Sequence, residues 1–338
     1  MTQDTPTTPI RWGIAGTSRI AETVIGDLKL VPEEVTLQAV GSRSLERAQQ
    51  FAAQHGITTA HGSYRGLVDD PEVDAIYIAT THPQHKQIAL AAIEAGKPLL
   101  VEKAFTATLA GTEEVVAAAR AKGVFVMEAM WTRFQPVIRA LHEVVESGEL
   151  GEIRSIQGDL CAFRAYNTDD RIFDLDQGGG ALLDLGVYPL SFAQDFLGDA
   201  DQIVYHGTTF ENGADAEVGM LVTYPGGRYA TLAAALLTPG PGRMVVMGTK
   251  GWAEVPPRFH RPSELFVHPL EGESRTIAPE VVGRGYQYEF LEVNQCLRQG
   301  RTESALMPLD DTVEVMRLMQ QGLDHLGIPM REDDDLVV

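Results

Sequence analysis

The sequence predicts an α/β fold, in which an N-terminal doubly wound parallel sheet precedes a C-terminal α+β domain with a mostly antiparallel sheet. In residues 10–146, short apolar runs alternate with helical patterns of about ten or more residues, which is typical of a parallel sheet with helices on both faces. In the second half, longer strand-like runs are joined by glycine and proline turns. A chain of 338 residues is long enough for two such domains.

The elements of the first half follow from apolar periodicity and from the residues that end each run. Strands are predicted at 10–16, 35–41, 74–80, 98–102 and 124–128. Helices are predicted between them at 19–28, 44–55, 84–95 and 112–121, and Gly96 ends the third of these. A further helix at 137–146 ends in the turn 147–151, where the pattern changes.

The second half is predicted to hold strands at 153–163, 202–210, 216–224, 227–236 and 243–247, with helices at 286–298 and 309–326. The turn 147–151 is the junction that the pattern favours, whereas the domain bounds that we expect are 10–130 for the first domain and 131–330 for the second. The polar residues 1–9 are expected to be disordered or extended. Residues 331–338 are expected to form a solvated acidic tail.

Composition narrows the class of protein. The chain has 47 acidic and 27 basic residues and a formal net charge of -20, which argues against nucleic acid and anionic membranes as partners. No apolar run approaches the ~18 residues of a membrane span. Two cysteines do not make a disulfide framework, which fits a reducing cytoplasm. These observations predict a cytoplasmic protein that acts on a small molecule.

A glycine turn after the first strand predicts a phosphate site. Gly16 is followed by a short polar segment that opens a helix, so its backbone N–H groups and the helix N-terminus could hold a pyrophosphate. The turn departs from G-x-G-x-x-G, because Ser18 replaces the second glycine and could offer a hydroxyl to a phosphate, while Ala21 replaces the third. An ordinary strand–helix turn is the alternative. The candidate cofactor residues here are Gly16, Thr17, Ser18, Arg19 and Ile20.

The end of the second strand indicates which nucleotide binds. A site for NAD commonly has an acidic residue there that accepts a hydrogen bond from the ribose 2′-hydroxyl. Here the strand is followed by Ser42 and Arg43, with Arg47 one turn further, and these residues could hold a 2′-phosphate. The alternative is that both arginines are solvated residues at the start of a helix. We expect NADP rather than NAD.

Three residues are candidates for proton transfer. Lys103 closes an apolar strand in a chain with six lysines and twenty-one arginines, and a lysine can polarise an alcohol oxygen. Asp184 and Tyr188 follow three glycines and would share one face of a helix. A phenol beside a lysine could act as a general acid or base. The alternatives are an ion pair between Lys103 and Glu102, a capping role for Asp184, and a core position for Tyr188. No His, Cys, Asp and Glu set has the spacing of a metal site.

Four segments together resemble the Gfo/Idh/MocA oxidoreductases. They are Gly13-Ile-Ala-Gly-Thr-Ser-Arg-Ile-Ala21, Thr80-Thr-His-Pro-Gln-His85, Glu102-Lys-Ala104 and Gly179-Gly-Ala-Leu-Leu-Asp-Leu-Gly-Val-Tyr188, and the resemblance covers about residues 10 to 328. Glu128-Ala-Met-Trp-Thr-Arg-Phe-Gln-Pro136 and Tyr188 resemble the branch of dimeric dihydrodiol dehydrogenases, NADP-dependent D-xylose dehydrogenases and glucose–fructose oxidoreductase. Ala104 departs from the usual proline, which puts the backbone geometry beside Lys103 in doubt.

The resemblance implies a Rossmann domain followed by a domain with an open-faced sheet, whose free face often forms the contact of a homodimer or of a dimer of dimers. It assigns catalysis to Lys103, Tyr188 and Asp184. It also implies that a set of residues lies near the cofactor: Thr80, His82, His85, Glu102, Lys103, Trp131 and Arg133.

From the resemblance we expect an NADP-dependent oxidoreductase that transfers a hydride between nicotinamide and a secondary alcohol or hemiacetal carbon of an aldose or cyclic polyol. Tyr188 would transfer the hydroxyl proton, Lys103 would hold that oxygen and lower the tyrosine pKa, and Asp184 would bind a neighbouring hydroxyl or orient the tyrosine. One alternative is a trans-dihydrodiol dehydrogenase with a flat apolar pocket lined by Trp131, Phe134, Phe163 and Phe173. Another is an NADP-binding sensor without turnover.

Overall fold

The computed structural model of the protein describes residues 8–338 and contains two β-sheets. The expectation for residues 1–9 falls largely on residues 1–7, which lie outside the described residues. The first sheet has six parallel strands: β1 Ile10–Ala15, β2 Val35–Gly41, β3 Thr59–His61, β4 Ala75–Ile78, β5 Leu99–Glu102 and β6 Val126–Ala129. Their order, β3-β2-β1-β4-β5-β6, is that of a doubly wound dinucleotide-binding sheet.

Helices connect these strands, and both faces of the sheet are buried. The helices are α1 Arg19–Leu28, α2 Leu45–His55, α3 Tyr64–Val68, α4 His82–Glu94, α5 Leu109–Lys122 and α6 Pro136–Glu146. Side chains alternate between two apolar clusters: Ile14 and Tyr77 belong to one, and Ile76 and Ile78 to the other. Serine or threonine side chains cap the N-termini of α1, α2, α3 and α5, which explains where these helices begin.

The second sheet has eight strands: β7 Ile153–Cys161, β8 Gln202–Thr209, β9 Asp215–Tyr224, β10 Arg228–Ala235, β11 Met244–Gly248, β12 Gly251–Val255, β13 Leu265–Pro269 and β14 Arg275–Ile277. Their order is β14-β13-β12-β11-β7-β10-β9-β8, and β7 and β10 are the parallel pair in an otherwise antiparallel sheet. Helices α7 Val187–Leu197, α8 Gln287–Arg298 and α9 Leu309–Leu326 complete the chain. The predicted fold class is confirmed.

One face of the second sheet is buried and the other is open. Alternate residues of β8 to β10, among them Tyr205, Met220 and Leu232, point into the core. Val204 and Leu221 are partners on neighbouring strands and are exposed on the opposite face. This alternation is the pattern of a sheet with one covered face.

Helix α8, from the second half of the chain, packs on one face of the first sheet. Trp12 of β1 donates from its indole nitrogen to the Asn294 side-chain oxygen of α8, at 3.1 Å. Phe290 of the same helix packs edge-on against Trp12 and Tyr77, with ring centroids 4.6 and 5.2 Å apart. The core of the first sheet therefore includes residues from far along the chain.

The expected acidic tail is solvated only in part, because some of its residues dock on the first domain. Glu332 accepts hydrogen bonds from the Thr108 backbone nitrogen at 2.8 Å and from its hydroxyl at 2.7 Å, at the start of α5. Lys86 of α4 lies 2.5 Å from Asp334. The exposed N–H groups and positive end of a helix attract a carboxylate, so a chain segment with several acidic residues docks there.

Some short elements were not predicted from the sequence, namely β3, α3 and β12 to β14. Within residues 8–338, no helix combines the length and the apolar character needed to cross a membrane. In the same range, no group of three or more His, Cys, Asp or Glu side chains is arranged to hold a metal ion.

Candidate active site

A cleft of about 680 Å³ opens at the carboxyl ends of β1, β2, β4 and β5, where a doubly wound sheet places its ligands. Two of the sequence-predicted site residues, His85 and Arg133, do not line it. The others do: Gly16, Thr17, Ser18, Arg19, Ile20, Ser42, Arg43, Arg47, Thr80, His82, Glu102, Lys103, Trp131, Asp184 and Tyr188. The structure therefore brings most of the predicted nucleotide-binding residues and the predicted catalytic residues into one cleft.

The turn after β1 packs closely against the residue that follows β4. Gly16 has φ +112°, and a β-carbon there would lie 2.8 Å from the Ala79 carbonyl oxygen. Ser18 donates to that carbonyl oxygen at 2.7 Å and accepts from the Ala21 nitrogen at 3.3 Å. Its hydroxyl is thus occupied within the protein, contrary to our expectation that it would reach a phosphate. The N–H groups at the start of α1 remain as phosphate donors.

The far end of the cleft carries positive charge and no acidic residue after β2. Arg43 and Arg47 line it together with Ser42. Tyr64, which sequence reasoning missed, also lines it, and its phenol lies near both guanidinium groups. Burial raises the pKa of Tyr64, and the charges of Arg43 and Arg47 partly oppose that rise.

Lys103 stands at the centre of the cleft. Its Nζ donates to the Asp184 main-chain oxygen at 3.2 Å and lies 4.0 Å from Asp184 Oδ1. The same atom lies 5.1 Å from the centroid of the Tyr188 ring. The Lys103–Ala104 peptide bond is cis. With Ala104 at the position of the usual proline, Lys103 faces Asp184 and Tyr188.

Asp184 and Tyr188 are held by a helix with an unusual start. Residues Leu182–Gly186 form a π-helical turn that continues as α7. The buried carboxylate of Asp215, on β9, accepts from the Leu182 nitrogen at 2.5 Å and so caps this turn. Gly180 has φ +126°, and a β-carbon there would lie 2.0 Å from Asp215 Oδ1. Gly180 therefore permits the close approach of Asp215.

The Tyr188 phenol is buried and protonated. Its oxygen accepts from the Trp131 indole nitrogen at 3.0 Å, and the side chain is 8 % exposed. Burial, and after it the charge of Glu102, raises the pKa of Tyr188 above its ordinary value. We expected Lys103 to lower this pKa, but the net shift is upward, and removal from water is its largest cause. A phenol in this state is a proton donor.

Asp184 is ionised and has one free oxygen. Oδ1 accepts from an Arg171 guanidinium nitrogen at 2.8 Å. Burial acts to raise the pKa of Asp184, but the charges of Arg171 and then of other neighbours, including Lys103, lower it overall. Oδ2 is buried and has no hydrogen-bond partner among residues 8–338. Sequence reasoning missed Arg171, which belongs to no motif that we had singled out.

The two histidines of α4 hold the backbone around Lys103. His82 lies with Nδ1 2.9 Å from the Gly178 oxygen and Nε2 3.2 Å from the Lys103 oxygen. Burial lowers the pKa of His82 to about 3, so the ring is neutral and only one nitrogen donates. His85 lies behind the cleft wall, with Nδ1 3.1 Å from the Ala104 oxygen. The His85 ring therefore contacts backbone oxygens and does not line the cleft, where we had expected it to lie beside the cofactor.

Arg133 lies in the core and does not reach the cleft. It is 2 % exposed and donates to Asp311 at 2.6 Å and to Gln194 at 2.5 Å. The expectation that it lies near the cofactor is not met, because its guanidinium binds these two side-chain acceptors, which belong to α9 and α7. Trp131 does line the cleft and stacks on Tyr286, with ring centroids 3.9 Å apart and planes at 7°.

Comparisons with family models and with curated proteins match most of the chain. Residues 10–130 match the model described as "Oxidoreductase family, NAD-binding Rossmann fold", and residues 138–254 match the "GFO/IDH/MocA C-terminal domain". The trans-1,2-dihydrobenzene-1,2-diol dehydrogenase of Mus musculus is 36 % identical over 335 residues, covering 96 % of this chain and 99 % of the relative. The Homo sapiens enzyme of the same name is 33 % identical over 335 residues, with 96 % and 99 % covered.

Solved structures share the fold. The aldose-aldose oxidoreductase of Caulobacter crescentus, complexed with glycerol, has a TM-score of 0.85 at 22 % identity, covering 94 % of this chain and 98 % of that one. Levoglucosan dehydrogenase, complexed with NADH and levoglucosan, has a TM-score of 0.86 at 19 % identity, covering 94 % and 97 %. The chain belongs to the Gfo/Idh/MocA family and is an NAD(P)-dependent oxidoreductase.

Proposed function

We propose that the protein is an NADP-dependent oxidoreductase that transfers a hydride between nicotinamide and a secondary alcohol or hemiacetal carbon of an aldose or cyclic polyol. One observation carries this proposal: the Lys103 ammonium lies 3.2 Å from the Asp184 main-chain oxygen and 5.1 Å from the Tyr188 ring, in the cleft at the carboxyl ends of the first sheet. The residues of the cleft fit a dinucleotide, because the first residues of α1 line it and direct N–H groups toward it, and because Arg43 and Arg47 line its far end.

The proposed chemistry follows from the charge state of each side chain. The bound nicotinamide supplies a hydride to a carbonyl carbon, or accepts one from an alcohol carbon. The protonated Tyr188 gives its proton to the substrate oxygen in reduction and takes it back in oxidation. Lys103 holds the same oxygen and balances the charge that develops on it. Trp131 donates to the phenol oxygen and fixes its position.

The choice of NADP rests on the end of the cleft beyond β2. Ser42, Arg43 and Arg47 line it, and no acidic residue follows the strand to accept from a 2′-hydroxyl. Two guanidinium groups there favour a 2′-phosphate.

The lining of the substrate end favours a polar substrate. Arg164, Asp170 and Arg171 line the cleft near Asp184. Four aromatic residues were expected to form a flat apolar pocket, and of these only Trp131 lines the cleft. Phe134 and Phe173 are buried in the core, and Phe163 is exposed outside the cleft. This polar wall supports a sugar or polyol. The names of the curated relatives support the alternative, a trans-dihydrodiol.

A titration and a screen test the proposal. The purified protein is titrated calorimetrically with NADPH, NADP, NADH and NAD, and then assayed at 340 nm with aldoses, polyols and cyclic diols. Tighter binding of NADP(H) and turnover of an aldose or polyol are expected. Turnover of cyclic diols alone supports the alternative. Tight binding of NADPH with no turnover contradicts the proposed substrates and supports a sensor.

We also propose a homodimer, or a dimer of dimers, formed through the open face of the second sheet. Val204 and Leu221 are exposed partners there, Tyr229 and Trp252 are exposed on other strands of the same sheet, and exposed apolar side chains on one face support a contact surface. Light scattering tests this: the wild type should have at least twice the chain mass, and Leu221→Lys should lower it. A monomeric wild type contradicts the proposal.

A cytoplasmic location belongs to the same proposal. Both cysteines, Cys161 and Cys296, are free thiols, as a reducing compartment requires. Fractionation of cells that produce the protein tests it, and recovery outside the cytoplasmic fraction contradicts it.

A further inference from the structure

Arg171 occupies a fixed position in the cleft wall. Residues Arg171–Phe173 form a short 3₁₀ turn, and the Asp170 carboxylate accepts from the Ile172 nitrogen at 3.1 Å at its start. The Gly180 nitrogen donates to the Ile172 oxygen at 2.8 Å. A β-carbon on Gly179 would lie 2.5 Å from the Arg171 oxygen, so the glycine segment packs directly on this turn. The guanidinium is therefore positioned by backbone contacts rather than carried on a free loop.

Arg171 and Asp184 both have unused hydrogen-bonding capacity. Arg171 has five N–H donors, and one of its nitrogens binds Asp184 Oδ1 at 2.8 Å. No other side-chain hydrogen bond of Arg171 is found within residues 8–338. Asp184 Oδ2 is buried without a partner in the same range. A buried acceptor without a donor is costly, so the site is suited to a ligand that supplies one.

The pair lies next to the groups that handle the reacting oxygen. Asp184 and Tyr188 are four residues apart on one helix, and Lys103 Nζ lies 4.0 Å from Asp184 Oδ1. A substrate oxygen held by Lys103 and Tyr188 therefore places the next carbon of the substrate near Asp184. Asp184 and Arg171 both line the cleft, so a hydroxyl on that carbon can donate to the Asp184 carboxylate while its oxygen accepts from Arg171.

We infer that Arg171 is a specificity-determining residue which, together with Asp184, selects substrates that carry a hydroxyl on the carbon next to the reacting carbon. The inference rests on the proposed function and deepens it. An aldose reacting at its first carbon meets the requirement, and so does a trans-dihydrodiol. The two candidate substrate classes thus share the feature that this pair recognises.

The test compares substrate pairs that differ by one hydroxyl. An aldose is compared with its 2-deoxy analogue, and trans-cyclohexane-1,2-diol with cyclohexanol, in the wild type and in Arg171→Gln. The wild type should prefer the vicinal hydroxyl by about 100-fold or more in kcat/KM, because the analogue leaves buried polar groups unpaired. In Arg171→Gln this preference should fall to about tenfold or less, with most of the loss on the hydroxylated substrate.

Arg331→Gln is the matched control. Arg331 also forms an arginine–aspartate pair in this region, with Asp176 at 2.7 Å, but both side chains are about three-quarters exposed and neither lines the cleft. This variant should keep the wild-type preference. An equal loss on both members of a pair in Arg171→Gln overturns the inference, as does an unchanged preference.

A pH profile separates recognition from a role that acts only through Asp184. The carboxylate is faced by Arg171, Lys103 and His82, with Asp215 nearby, and Arg171 is its closest cation. If Arg171 serves only to keep Asp184 ionised, higher pH should restore the wild-type preference to Arg171→Gln, and the inference is overturned. If the preference stays low at every pH, the inference holds. Wild-type protein that turns over none of these substrates overturns the proposed function, and the inference with it.

Discussion

The two ends of the cleft are built in different ways. At the nucleotide end, the ligand-facing groups come from residues 16–20 and 42–47, and the close approach of Gly16 to Ala79 fixes the turn. At the substrate end, Lys103 reaches across 81 residues to Asp184, and Arg171 and Trp131 join from separate segments. The first end depends on local conformation, and the second depends on a network of buried charges. Substitutions should therefore affect binding at one end and chemistry at the other.

The largest effect is expected at the substrate end. Tyr188→Phe removes the proton donor and the acceptor for the Trp131 indole, so kcat should fall by ~10²–10⁴-fold, as for loss of a general acid. Steady-state assays with saturating NADPH measure this loss.

The control for Tyr188→Phe is the calorimetric Kd for NADPH, which should stay within about twofold of the wild type. Near-normal turnover in Tyr188→Phe would remove the phenol from the mechanism. A parallel loss of NADPH binding would mean that the two ends are not separable.

A pH-dependent effect on stability is expected at the cap of the catalytic helix. Burial raises the pKa of Asp215 to about 6. Because this value exceeds the ordinary one of about 3.8, Asp215 stabilises the fold fully at low pH, and the stabilisation is lost as pH rises through about 6. The free energy of unfolding of the wild type should therefore decrease by up to about 3 kcal/mol relative to Asp215→Asn between pH 4 and pH 7.

Denaturant titrations of both proteins at several pH values measure this difference. Other buried carboxyls, such as Glu128 and Glu289, occur in both proteins, and their contributions cancel in the comparison. Parallel stability curves for the two proteins would contradict the assignment.

At the nucleotide end, Gly16→Ala should weaken NADPH binding and destabilise the fold by roughly 1–3 kcal/mol. The new β-carbon would meet the Ala79 oxygen at 2.8 Å, and φ +112° is unfavourable for alanine. Thermal unfolding and the Kd for NADPH measure the two effects. Gly96→Ala is the control, because Gly96 also has a positive φ, +74°, but nothing lies within 4 Å of a β-carbon there. Equal effects of both variants would show that the close approach at Gly16 has no role.

The smallest effect is expected at the exposed phosphate-recognition residues. Arg43→Gln should weaken NADP binding by about tenfold and leave NAD binding unchanged, since the guanidinium would contact only the 2′-phosphate. Arg65→Gln, in the nearby α3, removes an exposed arginine that pairs with Asp69 outside the cleft and should alter neither Kd. Equal losses for NADP and NAD in Arg43→Gln would contradict the cofactor preference.

The same contrast determines what the sequence could predict. The βα turn at Gly16, the absence of an acid after β2 and the strand-end position of Lys103 depend on local sequence, and all of them were predicted. Arg171 could not be found in this way, because its partner Asp184 is fixed by the fold of two separate segments. Arg133 was misplaced because an arginine two positions after a cleft residue gives no sign of its partner Asp311, which lies far along the chain.

Charge states were also beyond the sequence. A lysine near a phenol suggests a lowered pKa, but the pKa of Tyr188 is raised because the ring is buried and Glu102 lies nearby. The sequence of segment 331–338, which holds four acidic residues, is typical of a solvated tail. The sequence does not show that α4 and the N-terminus of α5 lie beside this segment. In both cases the decisive quantity is the three-dimensional surroundings of a charge.

The contact between Trp12 and α8 has a consequence for the order in which the protein forms. The residues that meet there, Trp12 and Asn294, are 282 positions apart. During synthesis, Trp12 of β1 and Tyr77 of β4 cannot pack on Phe290 before α8 has left the ribosome. The Rossmann half is synthesised before the second half, but its core is closed only by α8, which follows all the strands of both sheets in the chain.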